Sequence, residues 1–74
     1  MPADLPRDEE LVRRVRTALD EIEAGYAEVL VLRYLESKPV REIAAALGES
    51  EKAVESRLHR AREALRDRLK EEGP

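Results

Sequence analysis

The chain has no cysteine, no phenylalanine and no tryptophan, only two tyrosines and three glycines, and a single histidine, His59. Each scarcity excludes something. Without cysteine no disulfide can form, and one histidine is not a ligand set for a structural zinc ion. His59 also lacks the second histidine or thiol that a nucleophilic triad would need. So few aromatic residues make the chain a poor strand former. No glycine-rich phosphate loop is present. The run Val29 to Leu32 falls far short of the ~20 apolar residues of a membrane span. The opening stretch MPADLPRDEE is acidic and lacks the apolar centre of a secretion signal, so the expected compartment is the cytoplasm, with no membrane partner. The many Asp and Glu residues read as helix-surface charge, not as a buried catalytic pair. Neither an enzyme nor a bound cofactor is expected.

What is present points to helices. Ala, Leu, Glu and Arg dominate, and all four are strong helix formers. At 74 residues the chain is one small domain. A domain of this size buries only about 60% of the surface its unfolded chain exposes, so its core is thin. Charged residues make up 42% of the sequence, but both signs are interspersed, unlike a disordered tail. The net charge of −3 argues against a general nucleic-acid binder. Its distribution qualifies that. Residues 51 to 70 hold seven Lys or Arg against four acids, a net of +3, whereas residues 1 to 50 hold seven against eleven, a net of −4. The positive charge is concentrated on one segment.

Proline and glycine divide the chain into four expected helices, an all-α, four-helix domain spanning residues 1–74, with 1–6 and 71–74 as disordered ends. Helix 1 is expected from about Arg7 to Glu23. Leu11, Val12, Val15, Ala18, Leu19 and Ile22 form its apolar stripe, and acidic residues fill its first turn. Helix 2, from about Tyr26 to Glu36, is apolar almost all round, as if contacted on several sides. Val29 to Leu32 alone could be a strand, but nothing is available to pair with it. Helix 3 runs from about Val40 to Leu47, with Pro39 in its first turn and Gly48 as a left-handed stop. Ser50 can cap helix 4, which runs from about Glu51 to Lys70.

Helices 3 and 4 carry the functional signal. A short helix with small residues at Ala44 and Ala45, a turn of three or four residues containing Gly48, and a second helix make a helix-turn-helix over residues 37 to 62. Projected at 100° per residue, Val54, Leu58, Ala61 and Leu65 share one arc of helix 4 and must face the core. Lys52, Ser56, His59, Arg60 and Glu63 occupy the opposite arc. Glu55 and Arg62 lie on one flank and Arg57 on the other. In a recognition helix the outward residues of the first turns reach base edges, and flanking cations grip phosphates. Lys and Arg can donate to guanine, Ser and His can bond several edges, and Glu55 can accept from the amino group of cytosine. The plainer alternative is a solvated face, because Arg and Glu alternate on many surface helices that bind nothing.

Three segments in order, EVLVLRYLE (28–36), REIAAALG (41–48) and AVESRLHRAREAL (53–65), resemble region 4 of bacterial sigma-70 family factors, especially the extracytoplasmic-function group. Glu28 to Leu69 carries the likeness, and helix 1 matches in pattern only. The resemblance implies a four-helix domain without a wing, whose last helix reads the −35 promoter element and which docks on the β flap of RNA polymerase. Carried over by position, the DNA-facing residues are Arg41 on helix 3 and Lys52, Glu55, Ser56, Arg57, His59 and Arg60 on helix 4; Arg62 joins them from the helical projection. The polymerase contact would use the apolar surface of helices 1 to 3, and an anti-sigma factor is a further implied partner. The chain departs from the family pattern at four positions. Glu55 stands where Lys is common, which bears on DNA affinity. Glu49 replaces an apolar residue, Lys38 a Leu and Pro39 a Ser or Thr cap, which bears on the turns. Seventy-four residues leave no room for the −10-melting region 2 of a sigma factor, so the expectation is an excised domain or a free-standing region-4-like protein. The reading is therefore a promoter-binding helix-turn-helix domain of a transcription initiation factor, monomeric in preference to dimeric. The alternatives are a protein-interaction module with weak DNA binding and a dimeric regulator.

Overall fold

In a computed structural model, which describes residues 9–72, the elements are α1 (Glu9–Glu21), α2 (Ala24–Leu30), a π-helical continuation of α2 (Val31–Leu35), α3 (Val40–Leu47) and α4 (Glu51–Glu72). No strand occurs among the described residues. The segment expected to be disordered at 1–6, the helix start expected at Arg7, and residues 73–74 lie outside the described part.

α4 is the spine, and α1, α2 and α3 all pack against it. Its 22 residues make a rod of roughly 33 Å, at ~1.5 Å rise per residue. The core is the patch where the other helices meet it: Val29 and Leu30 from α2, Ile43 and Ala44 from α3, and Val54, Leu58 and Ala61 from α4. Leu19, Ile22, Tyr26, Leu32, Val40, Leu47 and Leu65 close its edges. The domain is only 15 Å deep along its shortest axis, so one layer of side chains between α4 and its neighbours supplies most of the burial. No polar or charged side chain is buried among the described residues.

Local rules set most of the boundaries. Pro39 takes an extended conformation (φ −71°, ψ 159°) before α3, and its carbonyl accepts from the amides of Glu42 and Ile43 at 3.0 and 3.1 Å. Gly48 has φ 69°, the left-handed region where a side chain is strained. There the Glu49 amide bonds back to the Ala44 carbonyl at 2.9 Å, the longer bond of a Schellman stop. Ser50 Oγ accepts from the Ala53 amide at 3.0 Å, satisfying one of the orphan donors of α4.

Three expectations need correction. The apolar stripe of α1 is seated only toward its C-terminal end. Ala18 is buried and Leu19 half-buried, whereas Leu11 and Val12 are exposed, because the first turn extends past the core. The helix also ends at Glu21, two residues early. The second helix is not uniform: from Val31 to Leu35 it widens to π geometry, with the Glu36 amide bonded to the Val31 carbonyl at 3.0 Å. It closes through Ser37, a non-glycine residue at φ 57°, whose strain is offset by the Lys38 amide bonding to the Leu32 carbonyl at 3.0 Å. Third, α4 does not stop at Lys70 but continues through Glu71 and Glu72. Arg14 of α1 donates to the Leu69 carbonyl at 3.4 Å, and Arg68 holds both Glu21 and, at 3.0 Å, Glu71. The contacts with Arg14 and Glu21 are tertiary, and no periodic pattern announces them, whereas Arg68–Glu71 is an ordinary i,i+3 pair within α4.

Candidate nucleic-acid interface

The Gly48 turn and the Ser50 cap swing α4 away from α3, and the core arc then fixes its rotation. Val54 and Ala61 are fully buried, Leu58 is 3% exposed and Leu65 is half-buried at the end of the arc. With that arc inward, Lys52, Ser56, His59 and Arg60 are forced outward, and all four are exposed. Glu55 and Arg62 on one flank, and Arg41 on α3, are exposed as well. The outward residues of α4 therefore lie along one open face that begins at its N-terminal end, whereas Arg57 on the other flank is half-buried. That end also offers unpaired amides and the positive pole of the helix dipole, both favourable to phosphate.

These side chains differ in how free they are. Lys52, Arg60 and Arg41 make no hydrogen bond or ion pair within the described residues, so their charges are available to a ligand. His59 Nε2 lies 3.3 Å from Glu63 Oε2 one turn on, an exposed pair of little energetic weight. Arg57 is half-buried, and its guanidinium donates to Glu49 in the turn at 2.7 Å. Arg62 donates to the Tyr34 hydroxyl at 3.0 Å, and Arg33 lies 5.7 Å from the centre of the same ring. Two cations expected to grip phosphates are thus already engaged inside the domain.

Sequence reasoning missed the partners in both cases. Glu49 pairs with Arg57 eight residues on, across the turn, and Tyr34 with Arg62 across 28 residues. No helical spacing rule covers either separation. The apolar surface expected on helices 1 to 3, whose residues are not assignable from the sequence alone, includes a concave stretch. Leu19, Ile22, Ala27, Val31 and Leu32 line an open apolar cleft of ≈ 550 Å³, rimmed by Asp20, Glu28 and Glu36.

A short helix, a left-handed glycine turn and a second helix with an open polar and cationic face define a helix-turn-helix DNA-binding domain. The family described as "Sigma-70, region 4" matches residues 12–65, most of the chain, and the chain belongs to that family. It is 38% identical over 55 residues to the RNA polymerase sigma factor SigV of Bacillus subtilis (strain 168), an overlap of 74% of this chain and 33% of that protein. The chain thus spans about a third of the length of that relative. The family consists of transcription factor domains and is not a class of enzyme. No helix among the described residues is long and apolar enough to cross a membrane.

Proposed function

We propose that this domain reads a −35-like element of double-stranded promoter DNA through the first turns of α4 and docks on the β flap of RNA polymerase. The observation that carries the reading is the outward, unpartnered state of Lys52 and Arg60 beside exposed Ser56 and His59, on a helix whose opposite arc is locked in the core. Lys52, Ser56 and His59 are the base-edge readers, Arg41 and Arg60 hold backbone phosphates, and Glu55 accepts from cytosine. Glu55 and Glu51 lower the net positive charge of this surface, so affinity rests on few contacts. The domain therefore depends on polymerase to hold it at a promoter.

The apolar cleft between α1, α2 and the π-helical segment is the polymerase face in this reading. Its acidic rim of Asp20, Glu28 and Glu36 suits a partner helix with an apolar ridge and basic flanks. The DNA assignment is tested by Arg60→Ala in fluorescence titrations against a −35-like duplex across a salt series, where binding should weaken and its salt dependence flatten. Unchanged binding would remove Arg60 from the interface, and the DNA reading with it. The polymerase assignment is tested by a pull-down with the isolated β flap, where Val31→Asp in the cleft should abolish capture while leaving DNA titrations intact.

A further inference from the structure

Glu49 and Arg57 face each other across the turn of the helix-turn-helix, with Arg57 Nη2 donating to Glu49 Oε2 at 2.7 Å. Their side chains remain 31% (Arg57) and 30% (Glu49) exposed, so the pair sits at the surface without being fully solvated. The other carboxylate oxygen, Glu49 Oε1, is sealed from solvent and accepts no hydrogen bond among the described residues. Arg57 is therefore what stabilises this carboxylate, through a charge-assisted bond roughly twice as strong as a neutral one. Arg57 also stands in the second turn of α4, on the flank of the surface that carries Lys52 and Arg60.

We infer that Glu49 withholds Arg57 from the DNA backbone, so that the domain binds with one phosphate contact fewer than its cations would allow. This rests on the DNA-binding reading. A phosphate could offer Arg57 the same kind of charge-assisted bond, so the exchange returns little. It would also strand a carboxylate with one sealed oxygen beside a second negative group, and like charges held at short range repel. Glu49 is a positioning residue that acts through Arg57, and its effect has a sign. If it only braced the turn, neutralising it would weaken DNA binding. Because it sequesters a cation, neutralising it strengthens binding.

The test uses the whole chain, a fluorescein-labelled mixed-sequence duplex two helical turns long, and anisotropy titrations across a salt series. Phosphate contacts are independent of sequence, and each adds about 0.9 to the slope of log K against log salt. Glu49→Gln keeps the shape of the side chain and should steepen the slope by about 0.9, which is roughly an eightfold gain at ~0.1 M salt. Glu49→Leu should give the same gain if charge is the cause. Arg57→Ala should leave the slope unchanged in the native background and erase the gain in the Glu49→Gln background. Arg60→Ala should flatten the slope in either background, reporting on the DNA reading independently. If Arg60→Ala weakens binding but both Glu49 variants leave it unchanged or weaker, the inference is overturned and the DNA reading stands. If Arg60→Ala has no effect, both fall.

Discussion

Leu58→Ala is the sharpest test of how α4 is rotated. Leu58 is 3% exposed and belongs to the same cluster as Val29, Leu30, Ile43, Ala44, Val54 and Ala61. The substitution removes three carbons, worth about 2.4 kcal/mol at ~0.8 kcal/mol each. It also opens a cavity that the helices cannot close without losing contact elsewhere, which brings the cost to about 2–5 kcal/mol. A domain of this size has roughly 3–5 kcal/mol to lose. The variant should therefore be partly unfolded at room temperature, or melt at least ~10 °C lower, since ~1 kcal/mol moves the midpoint of a 60–100-residue domain by about 4–8 °C. The assay is far-UV circular dichroism against temperature and urea, with Leu35→Ala as control. Leu35 is the same residue type but 73% exposed, and should change stability by less than about 0.5 kcal/mol. Equal midpoints for the two variants would mean that Leu58 does not face the core. The outward assignment of Lys52, Ser56, His59 and Arg60 would fail with it, because both follow from one rotation.

Three further outcomes are expected. Ser50→Ala removes the oxygen that caps the Ala53 amide and should cost about 1 kcal/mol in urea unfolding, while Ser50→Asp should retain most of the stability. Gly48→Ala should cost roughly 1 kcal/mol from backbone strain alone at φ 69°, since a Cβ there meets nothing within 4 Å; no loss on denaturation would mean that the turn relaxes. Tyr34→Phe deletes the acceptor of Arg62 at an exposed site, so stability should change by less than about 1 kcal/mol; if the freed Arg62 then reaches phosphate, the salt slope of DNA binding will rise.

Much of the fold was readable from local chemistry. Gly48 as a left-handed stop, Ser50 as a cap and the bounds of α3 each depend on a few neighbouring residues, and all took the form that local rules require. The inward arc of α4 was readable because Val54, Leu58 and Ala61 recur at helical spacing and one arc must be buried. The outward residues followed by subtraction. The π-helical widening at Val31–Leu35 was not readable, because a segment apolar on every side has no phase that separates one helical pitch from another. The short seating of α1 was hidden for a related reason: periodicity tells which face is apolar, not how far along the helix the core extends.

The sequence by itself determined that this is an all-helical helix-turn-helix chain and which arc of its last helix looks outward. These depend on composition, spacing and residue chemistry within one or two turns. Only the tertiary structure decided which of the outward cations are free. Arg57 is held by Glu49 and Arg62 by Tyr34, at separations of 8 and 28 residues. The availability of a charge depends on what lies within about 4 Å of it in space, and helical spacing fixes such neighbours only inside a single element.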